Sequence, residues 1–108
     1  MKDPSRADAV FQALADPTRR AVLGELARRP AGTTASELAR PLPVSRQAVV
    51  KHLQLLADAG LVEAERAGRE VRFQMRPEPL RDAVAWIAEV GGRWDRRLGR
   101  LKAQLERR

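Results

Sequence analysis

The segment Ser45–Val62, SRQAVVKHLQLLADAGLV, constrains the fold of this chain more than any other part of it. Ser45 is a typical helix N-cap residue, and Gly60 is typical of the position just beyond a helix C-terminus. Between them, apolar and polar residues repeat with the 3.6-residue period of a helix. The segment therefore predicts an amphipathic helix with two chemically different faces.

Shorter elements flank this helix on both sides. Thr34–Glu37 matches the S/T-x-x-E capping box, which predicts a short helix. Only a few residues separate that helix from Ser45, as a helix-turn-helix requires. Leu61–Ala67 and Glu70–Met75 follow, and they are typical of two strands joined by a tight turn at a glycine. This order predicts a winged helix-turn-helix.

Further helices are predicted at both ends of the chain. Asp16 followed by proline is typical of an N-cap, and it separates a first helix from a second that ends near Arg29. A last helix is predicted from about 77 to 107. The expected fold is mainly α with a small β-hairpin, in the order α-α-α-α-β-β-α. With 108 residues, residues 1–108 are expected to form a single domain.

The charge of the chain narrows the kind of partner. The formal net charge is +7, and 18 of the 21 basic residues are arginine, which favours nucleic acid or an anionic membrane surface. The absence of cysteine excludes disulfides and thiolate metal sites. No apolar segment approaches the roughly 18 residues of a membrane span, and no signal peptide is evident. We therefore expect a soluble cytoplasmic protein that does not associate with membranes.

The polar side of the helix that begins after Ser45 has the chemistry of a major-groove contact. Arginine pairs with guanine, glutamine with adenine, and an exposed valine can touch a thymine methyl group. Ser45 can cap the helix and also contact a phosphate. An ordinary solvated helix face, with Val50 buried against the hairpin, is the alternative. The candidate DNA-contacting residues here are Ser45, Arg46, Gln47, Val50, Lys51 and Gln54.

Four more residues are candidate DNA contacts. His52 lies between the polar and apolar faces of the same helix, where it either contacts a phosphate or forms a hydrogen bond within the domain. Arg69 lies near the tip of the hairpin and is predicted to enter the minor groove or bind phosphates. Arg66 and Arg72 are predicted to bind phosphates. Solvated hairpin charge, partly offset by neighbouring glutamates, is the alternative for all three arginines.

The last helix contains an apolar heptad pattern. Successive apolar positions are separated by alternating steps of four and three residues, which is the pattern of a coiled coil. We call this set the seam: Leu80, Val84, Ile87, Gly91, Trp94, Leu98, Leu101 and Leu105. Gly91-Gly92 interrupts it, and the pair either kinks the helix or lets another backbone approach closely. The seam extends beyond the small core, so a second copy of the chain is its simplest partner.

Three stretches together resemble the ArsR family of bacterial winged-helix repressors. They are ALADPTRRAVLGEL at Ala13–Leu26, TASELA at Thr34–Ala39, and the segment Ser45–Phe73. The similarity covers roughly Phe11 to Leu105. The resemblance implies operator binding through the fourth helix and the hairpin, and a homodimer built from the first and last helices. The implied dimer interface adds Val10, Phe11 and Leu14 to the seam.

The resemblance also bears on metals and effectors. Well-known members of the family sense metals through cysteines in the third helix or Asp and His ligands in the last. Here the third helix has no thiol and the last has no histidine, so the chain is similar to the metal-independent branch, with no metal and no cofactor expected. An unknown small-molecule effector remains possible. Phe11, Trp86 and Trp94 form either an apolar pocket for it or the core of the dimer.

The leading hypothesis is a homodimeric, sequence-specific regulator of transcription, a repressor that binds double-stranded DNA at an inverted-repeat operator. A metal- or ligand-responsive sensor of the same fold is the second hypothesis. A protein-interaction module that does not bind DNA is the third. An enzyme is not expected, because the chain has no cysteine, no tyrosine and one histidine, and its serines lie at helix starts.

Overall fold

The computed structural model describes residues 4–107, with side chains from residue 6 onward. The order of elements confirms the mainly helical winged helix-turn-helix, with one strand more than predicted. The elements are α1 (Pro4–Leu14), α2 (Pro17–Ala27), β1 (Thr33–Thr34), α3 (Ala35–Ala39), α4 (Arg46–Asp58), β2 (Val62–Ala67), β3 (Glu70–Met75) and α5 (Glu78–Glu106).

Side-chain caps start the two helices of the helix-turn-helix where the sequence predicts them. The Thr34 hydroxyl accepts a hydrogen bond from the Glu37 N–H at 3.2 Å, and the Ser45 hydroxyl accepts one from the Ala48 N–H at 3.1 Å. The Glu37 carboxylate accepts a hydrogen bond from the Thr33 hydroxyl at 2.8 Å instead of turning back to the backbone of Thr34. The capping box is therefore confirmed in its first half only.

The corner between α1 and α2 is closed by two arginines as well as by the predicted cap. The Asp16 carboxylate accepts a hydrogen bond from the Arg19 N–H at 2.9 Å. The Arg19 guanidinium donates to the carbonyl oxygen of Ala13 at 2.6 Å, and that of Arg20 donates to Leu14 at 2.6 Å. These carbonyls belong to the last turn of α1, which has no intrahelical donors for them. The two cations also complement the negative end of the α1 dipole.

Three antiparallel strands form one sheet in the order β1-β3-β2. The strands β2 and β3 and the turn between them form the predicted hairpin, here called the wing. Gly68, in that turn, has a φ of +65°, which favours glycine over other residues. The extra strand is β1, in which Thr33 pairs with Phe73 and Thr34 pairs with Arg72. It connects the start of α3 to the base of the wing.

The core lies between α2, α3, α4 and the base of the wing. Its largest completely buried side chains are Leu26, Leu38, Leu53, Leu56 and Leu61. Val10 of α1 is also completely buried in this core. The prediction that Val10 belongs to a dimer interface is therefore wrong, because its side chain has no exposed surface to offer a partner.

The last helix, α5, has one face on α1 and one face in solvent. Pro79 and Ala83 are buried, and Arg6 forms an ion pair with Asp82 at 3.4 Å. The helix continues through Gly91-Gly92, and its 29 residues span roughly 43 Å. Among residues 4–107, no helix combines the length and apolar composition needed to cross a bilayer.

Candidate nucleic-acid interface

The polar face of α4 is exposed in the structure. Ser45, Arg46, Gln47, Lys51 and Gln54 all lie on the surface, and the opposite face of the helix is anchored by buried core residues. The cap bond to Ala48 uses the Ser45 oxygen as an acceptor, which leaves its O–H group able to donate to a phosphate. The two positive charges and two amide groups on this face can therefore meet a negatively charged groove.

Val50, on the same helix, is less exposed to solvent than the sequence predicts. It is half-buried and packs against the core, as the alternative interpretation allowed. The prediction of a fully exposed valine is wrong, because α3 and the wing approach α4 on that side. A part of the side chain still lines the groove described below.

Arg46 is held by a residue that the sequence analysis did not select. The Arg46 Nε donates a hydrogen bond to the Ser36 hydroxyl of α3 at 3.0 Å. This bond uses only the Nε–H group of the guanidinium. Ser36 was interpreted only as part of a helix start, because nothing in the sequence shows that it lies beside Arg46 in space.

The three wing arginines have different environments. Arg66 and Arg69 are exposed, and Arg69 lies in the turn at the tip of the wing. Arg72 is half-buried, and its guanidinium donates to the carbonyl oxygen of Gly32 at 3.0 Å and lies 3.4 Å from the Glu70 carboxylate. The prediction that Arg72 binds phosphate does not fit this geometry, because the side chain already attaches the wing to the loop before β1.

His52 is half-buried, and its Nδ1 atom is buried without a hydrogen-bond partner among the described residues. The predicted hydrogen bond within the domain is therefore absent at this nitrogen. Asp16, at the N-terminus of α2, lies close enough to His52 to interact with it electrostatically. The N–H of Arg19 chiefly lowers the pKa of the Asp16 carboxyl, and the charges of Arg19 and His52 lower it further.

A groove of about 640 Å³ separates α3 and α4 from the wing. Its two walls carry Arg46 and Gln54 on one side and Arg69 on the other, and Val50 and Phe73 lie between them. Phe73, Val71 and Ala64 were not selected from the sequence, because wing alternation alone does not show which strand face turns toward α4. The groove brings three of the α4 candidates, Arg46, Val50 and Gln54, and the wing-tip residue Arg69 onto one concave surface.

The seam lies mostly on the surface of α5. Val84 is 61% exposed, Ile87 is 55% exposed and Trp94 is 56% exposed, although all are large and apolar. Leu98, Leu101 and Leu105 are exposed to a similar degree, and Gly91 is exposed. The remaining dimer candidates, Phe11, Leu14 and Leu80, are half-buried against the core.

Phe11 of α1 also contacts α5 beside the seam. Its ring packs edge-on against Trp86, with ring centroids 5.5 Å apart. A cavity of about 450 Å³ lies next to this pair, lined by Ala7, Asp8, Phe11 and Trp86. Trp94 does not line this cavity, so the three aromatic residues proposed as one pocket are not together within one chain.

The described residues 4–107 contain no group of three or more His, Cys, Asp or Glu side chains placed to hold a metal ion. Two acidic residues of α5 are instead engaged with arginines. Asp82 pairs with Arg6, and Glu89 pairs with Arg93 one turn further along the helix.

Comparison with known proteins places this chain in a known class. A helix-turn-helix domain family matches residues 14–65. The HTH-type transcriptional regulator YuzN of Bacillus subtilis is 41% identical over 74% of this chain and 94% of its own length. The transcriptional repressor SdpR of the same organism is 30% identical over 72% of this chain and 84% of its own.

Solved structures share most of this architecture. An ArsR-like transcriptional regulator from Rhodococcus sp. RHA1 is 42% identical, with a TM-score of 0.75 over 92% of each chain. A homodimeric winged helix-turn-helix DNA-binding domain from Mycobacterium bovis, a possible ArsR-family regulator, is 26% identical, with a TM-score of 0.62 over 87% of this chain and 82% of that one.

The fold and these relatives define a DNA-binding regulator of transcription, a class of proteins that are not enzymes. The chain belongs to the ArsR family of winged helix-turn-helix transcriptional regulators.

Proposed function

We propose that this protein acts as a homodimeric repressor that binds an inverted-repeat operator through α4 and the wing. The observation that carries the proposal is the exposed polar face of α4 beside the wing groove. The proposed DNA contacts are Ser45, Arg46, Gln47, Val50, Lys51, His52 and Gln54 on α4, with Arg66 and Arg69 on the wing. We expect this activity in the cytoplasm, where bacterial chromosomal DNA lies.

The proposed contacts have different roles, which follow from the chemistry of each side chain. Arg46 and Gln47, in the first turn of α4, can pair with base edges in the major groove. Lys51 and the two wing arginines can neutralise phosphates and fix the orientation of the domain on the duplex. Binding is therefore expected to weaken steeply with salt, by a log–log slope of about −0.9 for each phosphate neutralised.

The proposals of a homodimer and of a repressor role are supported by the relatives as well as by this chain. The M. bovis domain is described as a homodimer, and SdpR is described as a repressor. In this chain, the exposed seam of α5 supplies an apolar surface suited to a second copy. Two copies related by a twofold axis present two α4 helices, which require an inverted repeat. A dimer bound across a promoter excludes other proteins from it.

The test is duplex binding by a variant with Arg46, Gln47 and Lys51 replaced by alanine. We expect at least a tenfold loss of affinity for DNA from the gene's own upstream region, and a shallower salt slope. The matched control is R96A/R100A, which also removes two positive charges, but from exposed positions of α5. Equal loss in both variants, or wild-type binding with no preference over random duplex, contradicts the proposal.

We also propose that DNA binding does not depend on a metal ion. The chain has no cysteine and one histidine, so it lacks the soft ligands that transition-metal sensors use. We expect the affinity for DNA to be the same in a chelator and in micromolar zinc, nickel or cadmium. A change of threefold or more with any of them contradicts this proposal.

A small apolar effector is a second candidate, favoured by the cavity beside Phe11 and Trp86. A ligand there would contact both helices proposed to form the dimer. Such a ligand is expected to quench tryptophan fluorescence and to change the affinity for DNA, and F11A is expected to abolish both effects. A ligand that quenches the tryptophans with DNA affinity unchanged contradicts a regulatory role for the cavity.

A further inference from the structure

The arginine that begins α4 lies in an unfavourable place for a cation. Arg46 is the first residue of the helix, directly after the Ser45 cap, so its charge lies at the positive end of the helix dipole. Among the side chains of residues 6–107, no acidic group forms an ion pair with it. The stability of the fold therefore does not explain a cation here, whereas contact with a phosphate or a base edge would.

One hydrogen bond from α3 holds the Arg46 side chain. The Nε–H group donates to the Ser36 hydroxyl oxygen at 3.0 Å, and this bond joins the two helices of the helix-turn-helix. Ser36 is not the cap of α3, because the Thr34 hydroxyl accepts the bond from the Glu37 N–H. Ser36 is also exposed, so the core does not require its side chain. The contact with Arg46 is therefore the use that the structure shows for this hydroxyl.

Ser36 and Arg46 both line the groove between the helix-turn-helix and the wing. Arg46, Val50 and Gln54 follow one another at four-residue steps and line this groove along one face of α4. Ser36 lines it from α3, at the end where Arg46 lies. In helix-turn-helix proteins, the N-terminal residues of the recognition helix contact base edges. The Ser36 hydroxyl therefore lies beside the α4 residue best placed to reach a base.

The bond to Ser36 determines which nitrogens of Arg46 are available to a base. A guanidinium has five N–H groups, one on Nε and two on each terminal nitrogen. Guanine is recognised by two N–H groups that donate to its O6 and N7 atoms. Because Ser36 engages the Nε–H, the terminal nitrogens Nη1 and Nη2 are the pair that remains for this contact. The bond also restricts the rotamers of a long side chain before DNA binds, which reduces the entropy lost on binding.

We propose that Ser36 positions the Arg46 guanidinium for a two-bond contact with guanine through Nη1 and Nη2, and thereby sets the base preference at that position of the operator. This inference rests on the proposed function and adds a positioning residue to it, on a helix outside the proposed DNA contacts. The Ser36 hydroxyl has no charge, so its loss changes the discrimination between bases and leaves the salt slope of binding unchanged. A role in helix packing alone would instead weaken binding to every sequence equally.

The experiment measures binding of the full chain to the duplex that it selects from random sequence, and to duplexes with one base pair changed in one half-site. The base pair read by Arg46 is the one at which R46A loses the preference for guanine. At that base pair, we expect S36A to reduce the preference by about threefold to tenfold, with the preferences at other positions unchanged. The matched control is S36T, which keeps the hydroxyl and is expected to stay within about twofold of the wild type.

A double-variant cycle tests whether Ser36 acts through Arg46. Adding S36A to R46A is expected to change the preference for guanine by less than about twofold, because the side chain that Ser36 positions is already absent. An S36A protein that weakens equally on every duplex would overturn the proposal, and so would an equal loss of preference in S36T.

Two further results separate this inference from the proposed function. Full preference for guanine in S36A, at the base pair where R46A has lost it, would overturn the positioning role and leave DNA recognition by α4 intact. Unchanged preferences of R46A at every base pair would remove the base contact of Arg46 from the proposed function, and the positioning role with it.

Discussion

Asp16 shows how one side chain organises the α1–α2 corner. Its carboxylate caps α2, and Arg19 and Arg20 cap the end of α1, so three residues within one short stretch satisfy groups at the ends of both helices. The sequence predicts the first half of this arrangement, because a cap and the N–H it accepts are only three residues apart. It does not predict the second half, because the arginine contacts depend on how α1 and α2 are oriented relative to each other.

The lowered pKa of the Asp16 carboxyl makes part of the stability depend on pH. Because the pKa is lower in the folded state than in the unfolded chain, the stabilisation is complete above the unfolded value and is lost as pH falls through the folded one. We expect D16N, which can still cap the helix, to lose less stability than the wild type between about pH 5 and pH 2. Urea unfolding of both proteins across that range measures this loss of stability. Parallel pH profiles of stability for D16N and the wild type would contradict the assignment.

The wing shows the limits of sequence analysis at the level of elements. Its two strands, their turn and the capped helix α4 are confirmed, because each depends on local periodicity and turn residues. The strand β1 was missed, because two threonines become a strand only by pairing with β3 some forty residues later. Val10 and Arg72 were misassigned for a related reason. Spacing identifies a face of an element but not what that face packs against.

Arg72 and Arg66 should therefore respond differently to substitution. R72A removes the link to Gly32, and we expect it to lower the free energy of unfolding by about 1 kcal/mol with an unchanged salt slope of DNA binding. R66A is expected to make the slope shallower by about 0.9 for each copy of the chain, or about 1.8 for the dimer, with little change in stability. Denaturant titration measures the free energy of unfolding, and DNA binding at several salt concentrations measures the salt slope. A shallower slope in R72A would restore its role as a phosphate contact.

At the scale of the whole molecule, the sequence predicts the family and the fold, and the proposed assembly follows from two surfaces. One is the polar face of α4 with the wing groove, and the other is the seam of α5. The first is recognisable because its polar residues share one side of a capped helix. The second is recognisable because its heptad spacing continues beyond the core. Their arrangement in a dimer depends on a second chain, so it stays a prediction.

The selection of bound fragments from random duplex DNA tests most directly whether a symmetric pair of chains presents α4 twice to one double helix. The predicted result is an enriched inverted repeat whose half-site centres lie about one helical turn apart, roughly 34–36 Å, and whose enrichment disappears when Arg46, Gln47 and Lys51 are replaced by alanine. Enrichment of a single half-site, of direct repeats, or of no sequence at all would contradict it.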